Sequence, residues 1–481
     1  MRQTKTMSSH AGDVVKILVV IASYGSANDR YLSRVLAEYR SMPYATDIVV
    51  LSNAPKDLGS DVKVIVGLPN RQPWSLPFGH KQIFADRVNA YDLFVYSEDD
   101  MLITERNIEA FRQATAVLQH DEIAGFLRFE RLKQGTRSYP DVHLGYHWDV
   151  QTVRSRGERI WAFFTNEHAA SYILTRSHLQ RAIDSGGFLV EPHEGEYDLL
   201  CAAATDPYTQ CGMQKLICVS HIDDFLIHHL PNKYVGKLGV GEAEFDAQVA
   251  KLVEVGREDT KRPPLLSKHS TVKATHFSKN YYEPIRNDLI ELIPAEARSI
   301  LSIGCGWGAT EKRLMLDGKK VVGVGLDPVI SACARARGVE VVEGDLPAAL
   351  AQLRGNVFDC ILLSNILHLV GDPRAFLQSL GCLMSDGTTV ITAVPNLSRL
   401  PVRWRTYFGK EVHRALGNFA RSGVQFTSHR AVREWHRGAG LEVDCFADVI
   451  PQQMQTLCAA SGGVLAPLLS SEIVAVATLR H

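Results

Sequence analysis

Short apolar runs of strand length alternate with segments of helical spacing along nearly the whole chain. In the first half, KILVVIASYG reads as a buried strand ending in a small-residue turn, and NDRYLSRVLAEYRSM as a helix. DIVVLSN and VKVIVGL are further strands, and GHKQIFADRVNA is a helix leading into the strand YDLFVYSEDD. A second alternating series begins near Thr275. YYEPIRNDLIELIP reads as an amphipathic helix, SILSIGCGWG as a strand entering a glycine turn, ATEKRLMLDG as a helix and KVVGVGLD as a strand. VEVVEGDL, FDCILLSNIL, PRAFLQSLGCLM and GTTVITAVPN continue it, and LEVDCF and SEIVAVATLR suit an antiparallel edge pair. Alternation of this kind predicts an α/β protein with mostly parallel sheets covered by helices.

The chain has 481 residues, too many for one core, so two domains are expected. GEAEFDAQVAKLVEVG reads as a helix, followed by a charged, proline-bearing stretch. The predicted division is a first domain over 14–257, a linker over 258–274 and a second domain over 275–481. A formal net charge of −1 gives no basic field for nucleic acid. Nine cysteines without CxxC spacing point to reduced thiols in a cytoplasmic protein and away from zinc. No apolar run reaches the length of a membrane span, which leaves peripheral association with a membrane open.

Ligands of parallel sheets collect at the carboxyl ends of the strands, and two such ends carry unusual residues. The first is Glu98-Asp99-Asp100, three adjacent carboxylates after an apolar strand. Like charges so close repel, so the cluster is either a solvated acidic turn or is neutralised by a divalent cation with oxygen ligands. The second is Gly304, Gly306 and Gly308 between a strand and a helix, where missing side chains let a ligand approach the backbone and the helix amino end. The same turn fits a dinucleotide fingerprint through Ala309 and Asp327, so NAD is an alternative ligand.

Residues 275–481, with GCGWG, GD at Gly344-Asp345 and VPN at 394–396, resemble the class I S-adenosylmethionine-dependent methyltransferases, which have a Rossmann-like sheet. The resemblance implies that Gly304, Gly306 and Gly308 line the methionine part of the cofactor and that Asp345 lies by the adenine. The family often has acids where Ser302 and Gly325 stand; Asp327, two residues after Gly325 on the same face, is the candidate for the ribose hydroxyls. His368, at a strand's carboxyl end, is the candidate base toward a hydroxyl acceptor. Loss of activity in this domain, leaving a binding or regulatory role, is the alternative.

The first half, with its acidic triplet at the end of the fourth predicted strand, resembles the GT-A glycosyltransferases. That resemblance implies a Mn2+ or Mg2+ ion gripping the diphosphate of a nucleotide-sugar, with Asp100 as metal ligand and Glu98 and Asp99 toward the nucleotide. It also implies nucleotide contacts from Ser23, Tyr24 and Asn53, and a late histidine, His228 or His229, on the metal. Lys233 is a candidate partner of the diphosphate. Asp198, with Glu196 beside it, is the candidate base toward the acceptor, and Trp161 suits either a sugar face or the core. The acceptor expected is a glycan or lipid-linked glycan, and the combined reading is a bifunctional enzyme of surface polysaccharide assembly. A nucleotidyltransferase is the enzymatic alternative for this half, but it usually carries a glycine-rich basic loop after its first strand.

Overall fold

In a computed structural model, residues 14–258, 263–266, 277–408, 414–416 and 418–479 are described. They fall into two compact units. The first comprises residues up to Asp141 with Arg156–Arg159 and Glu167–Lys237; the second takes Val142–Ser155, Ile160–Asn166 and everything from Leu238 onward. The helix Glu242–Glu258, which the sequence division ends the first domain with, clusters with the second unit.

The first unit is built on a five-stranded sheet. Its order from edge to edge is Ser171–Thr175, Leu93–Glu98, Lys16–Ser23, Ala45–Ser52 and Val62–Val66. All neighbours are parallel except the first pair. Seven of the eight residues of Lys16–Ser23 are buried, as a central strand covered on both faces requires. The helix Asp29–Ser41 buries Leu32, Val35, Leu36 and Tyr39, one stripe at helical spacing. Strand Leu93–Glu98 pairs with Lys16–Ser23 so that Glu98 is level with Ala22. Asp99 and Asp100 therefore leave the sheet beside the turn that follows Ser23.

A second group of strands in this unit brings in the histidine. Leu226–His229 lies parallel to Leu127–Arg131 and antiparallel to Met101–Leu102. The pairing of His229 with Met101 delivers the imidazole next to Asp100, and the parallel register delivers Glu130 to its other side.

The second unit holds a seven-stranded sheet in the order Glu340–Val342, Lys320–Gly325, Ser299–Cys305, Cys360–Ser364, Thr389–Pro395, Glu472–Leu479, Leu441–Phe446. The first five strands are parallel, and Glu472–Leu479 runs antiparallel to both of its neighbours, the edge pair that the sequence suggested. One expectation fails here. Residues 281–294 are not a helix; only Asn287–Ile290 is helical, and the residues before it form turns and extended chain. Pro284 explains the difference, because its ring pushes Glu283 out of the α region. Trp161 is fully buried in this unit and belongs to its core rather than to a sugar face.

No helix among the described residues is long and apolar enough to cross a membrane. All nine cysteines are free thiols.

Candidate functional sites

In the first unit, five of the residues singled out from the sequence come together at the carboxyl edge of the sheet. Ser23 Oγ donates to Asp99 at 2.7 Å, and Asn53 accepts from the amide of Gly25 at 2.7 Å. His229 Nε2 lies 3.4 Å from Asp100, and its Nδ1 lies 2.6 Å from Glu130. Asn28 ties the two aspartates together, donating to Asp99 at 2.7 Å and to Asp100 at 3.2 Å.

The electrostatics of these acids differ sharply. Burial, with the charge of Asp100 nearby, pushes Glu98 up to about 8. Burial likewise raises Asp99 to about 6, against the bonds from Ser23 and Asn28. Burial opposes ionisation of Asp100 too, but the hydrogen bond and charge of His229 outweigh it and hold that carboxyl below its ordinary value. The same contact, with the bond to Glu130, raises His229 in spite of its burial. Asp100 is thus the carboxyl of the triplet whose charged form is favoured, while Glu98 is largely neutral at pH 7.

This donor set fits a hard divalent cation in part. A metal-binding imidazole commonly gives its second nitrogen to a carboxylate, the position Glu130 takes. Magnesium bound to a diphosphate needs only one or two protein carboxylates. Among the described residues no group of three or more such side chains stands ready to hold an ion.

Beside the acids is a cavity of about 220 Å³ lined by Ala22, Tyr24, Asn28, Trp74, Glu98 and Asp99, among others. Tyr24 and Trp74 are aromatic side chains more than half exposed, 51% and 57%. Lys233 contributes its charge to Asp100 and Glu98. His228 faces elsewhere, stacked on Phe129 at 4.9 Å. Asp198 caps the helix Leu199–Thr209, accepting from Cys201 N at 2.9 Å, and Glu196 is exposed nearby. Glu167, which the sequence reading passed over, is raised to about 7 by burial and the charge of Glu196.

In the second unit, Gly304 and Gly308 take positive φ, 79° and 83°, and shape the turn between strand Ser299–Cys305 and helix Ala309–Leu316. A side chain at Gly306 would overlap the carbonyl oxygen of Tyr281. Acids stand close to both positions, Ser302 and Gly325, where the sequence resemblance leads one to expect them. Ser302 donates to the buried Glu311 at 2.6 Å, so a carboxylate reaches that position from the following helix. Asp327 is buried and caps the helix Pro328–Ala336 through the amides of Val329 and Ile330, and burial raises it to about 7. Asp345 caps the helix Leu346–Gln352 through Ala348 N at 3.0 Å.

The space at Gly325 belongs to Ser331, whose hydroxyl would collide with any added Cβ. Restoring an acid there is therefore expected to destabilise the fold by ~1–3 kcal/mol, as overpacking does. Gly325→Glu should lower the melting temperature of the second unit, and adding Ser331→Gly should recover part of the loss.

His368 is fully buried with Nε2 2.7 Å from the carbonyl oxygen of Phe277, and burial lowers it to about 4. It lines a cavity of about 370 Å³ with Asn280, Glu283, Arg286, Asn365 and Glu472. Asn365 directly follows strand Cys360–Ser364 with φ 53°, an uncommon conformation for a residue with a side chain. Arg286 anchors the cavity wall, bonded to Glu283 at 3.0 Å, Asp288 at 2.6 Å and Glu472 at 2.7 Å.

The residues that would hold S-adenosylmethionine are formed: a glycine turn, a helix amino end, and acids at the neighbouring strand ends. Lys279 and Glu283 border, with the three glycines, a cavity of only about 20 Å³, and the carbonyl oxygen of Tyr281 sits directly against Gly306 and Trp307. The backbone at Tyr281 thus takes the place beside Gly306 that the missing side chain leaves open.

A family model described as methionine biosynthesis protein MetW matches residues 286–415. No curated protein matches the chain. Among solved structures, the chain is similar to an S-adenosylmethionine-dependent methyltransferase of Thermotoga maritima, a possible histamine N-methyltransferase. The identity is 20%, over 40% of this chain and 86% of that one, with a TM-score of 0.28. One from Archaeoglobus fulgidus is 14% identical over 40% and 91%, with a TM-score of 0.31. Another, from Mesorhizobium loti, is 17% identical over 40% and 96%, with a TM-score of 0.30. The match to the MetW model falls on the part of the second unit that holds the glycine turn and the parallel strands of its sheet.

Proposed function

We propose that the first unit transfers a sugar from a nucleotide-sugar donor to a glycan or lipid-linked glycan. The second unit, in this reading, O-methylates a sugar hydroxyl with S-adenosylmethionine, both steps serving surface polysaccharide assembly. One observation carries the first half. Ser23, Asn28, Asn53, Asp99, Asp100, Glu130 and His229 come from five separate stretches of sequence and converge on one sheet edge. Buried carboxylates are costly to fold around unless they are partnered or hold a ligand.

Asp100 and His229 would hold the divalent cation, which when bound offsets the charge that builds on a departing nucleoside diphosphate. Glu130 fixes the imidazole, Asn28 and Ser23 fix Asp99, and Tyr24 and Trp74 offer stacking faces for a base. Asp198 and Glu196 remain the bases proposed for the acceptor hydroxyl. The test is release of free nucleotide from a panel of nucleotide-sugars, with Mn2+ or with chelator. Metal-dependent release from one donor supports the reading and names the sugar; no release from any donor removes it. Trp74→Ala is expected to weaken binding of that nucleotide about tenfold, the loss of one stacking partner, in a calorimetric titration.

A second reading keeps the transferase and makes the methyltransferase-like unit non-catalytic. The filled space over the glycine turn and the closed position at Gly325 favour it.

A further inference from the structure

The residues that fill the cofactor's place follow a defined path. Lys279 Nζ donates to the carbonyl oxygen of Ser364 at 2.7 Å, at the end of strand Cys360–Ser364. Tyr281 O accepts from the amide of Trp307 at 3.0 Å, inside the glycine turn. The Tyr281 phenol lies within reach of the charge of Asp327, beyond the end of strand Lys320–Gly325, which adds to burial in keeping it protonated. The segment thus crosses three adjacent strand ends, the crevice in which ligands of such sheets bind.

It is also held from its outer side. Tyr281 N donates to Leu144 O at 2.8 Å, and Leu144 has φ 54°. The ring of Tyr281 stacks on His147 with centroids 4.3 Å apart and planes 4° apart. Tyr281 is 4% exposed. The clamp is specific, yet the segment has no regular secondary structure and borders the 370 Å³ cavity through Asn280 and Glu283.

We propose that residues 279–283 are a self-occupying strap, and that the methyltransferase-like unit accepts S-adenosylmethionine only when this strap leaves the glycine turn. This rests on the reading that the unit takes that cofactor. Tyr281 is the central element, its carbonyl oxygen seated on the glycine turn at Gly306 and Trp307 and its phenol near the acid proposed for the ribose. The cofactor then competes with the chain's own side chain, and its apparent affinity is lowered by the fraction of molecules in which the strap is closed.

The test uses the full chain and S-adenosylmethionine itself. Tyr281→Ala is expected to bind it about tenfold more tightly than the parent or better, and Tyr281→Phe, which loses only the hydroxyl contact, to bind it more tightly by a smaller factor. In the parent, hydrogen–deuterium exchange should show the amides of Tyr281 and Trp307 protected without ligand and exposed at saturation. Binding to the Tyr281 variants but not to the parent also supports the strap. Binding with both amides still protected overturns it while leaving the cofactor assignment intact. Absence of binding to the parent and to both variants, each shown folded by its melting transition, overturns strap and assignment together.

Discussion

Asp100→Ala removes metal-dependent nucleotide release, with turnover expected to fall by ~10²–10³-fold, the scale of losing a principal electrostatic stabiliser. The reasoning starts from charge. Asp100 is the carboxyl of the triplet that is held below its ordinary value, because His229 beside it outweighs the cost of burial. Glu98, pushed up to about 8, is largely neutral at pH 7, and Asp99 is already engaged by Ser23 and Asn28. The fold should survive the change, since His229 keeps Glu130 and Asp99 keeps Ser23 and Asn28. Retention of a melting transition with loss of release is the expected pair of results. Parent-like release in Asp100→Ala would return the triplet to an acidic turn.

Arg286→Met is expected to cost the second unit ~3 kcal/mol, measured by denaturant titration, because it removes one of the two cations that hold the largely buried Glu283 in its charged form. Glu283 is the most affected. Burial resists its charge, but Lys279 and Arg286 overcome that and hold it at about 2 against an ordinary 4.5. That depression amounts to ~3 kcal/mol of stability at neutral pH. A carboxyl with a lowered folded-state value stabilises above its unfolded value and loses that contribution as pH falls toward the folded one. The parent's second unit should therefore weaken between about pH 4.5 and 2, and Arg286→Met should show a flatter acid limb from a lower starting point. Equal slopes in the two proteins would mean that Arg286 does not set the Glu283 ionisation.

The apolar runs of strand length and the helical spacing between them carried most of the architecture. The strands Lys16–Ser23, Ala45–Ser52 and Leu93–Glu98, and the series from Ser299 to Pro395, lie where apolar runs are bounded by small or polar residues. The acidic triplet was legible as a strand-end feature, and His229 as a late histidine. Which of His228 and His229 faces the acids depends on the pairing of His229 with Met101, a register that spacing along the chain does not reveal.

Asn28, Glu130 and Glu311 were not legible, because nothing local distinguishes a surface polar residue from one that a distant strand will meet. The amphipathic spacing of 281–294 suggested a helix, but Pro284 and the pull of Leu144 and Trp307 on Tyr281 override it. Asp198 had the right chemistry for a base, and the structure uses it first as a helix cap.

The most direct measurement is electron spin-echo spectroscopy of Mn2+ bound to the full chain with a nucleoside diphosphate. Nitrogen coupling from an imidazole, lost in His229→Gln and accompanied by lost Mn2+ binding in Asp100→Ala, is the result expected if these two residues hold the cation. Mn2+ bound with unchanged affinity and spectrum in both variants would contradict the assignment of this sheet edge as a metal and nucleotide-sugar site.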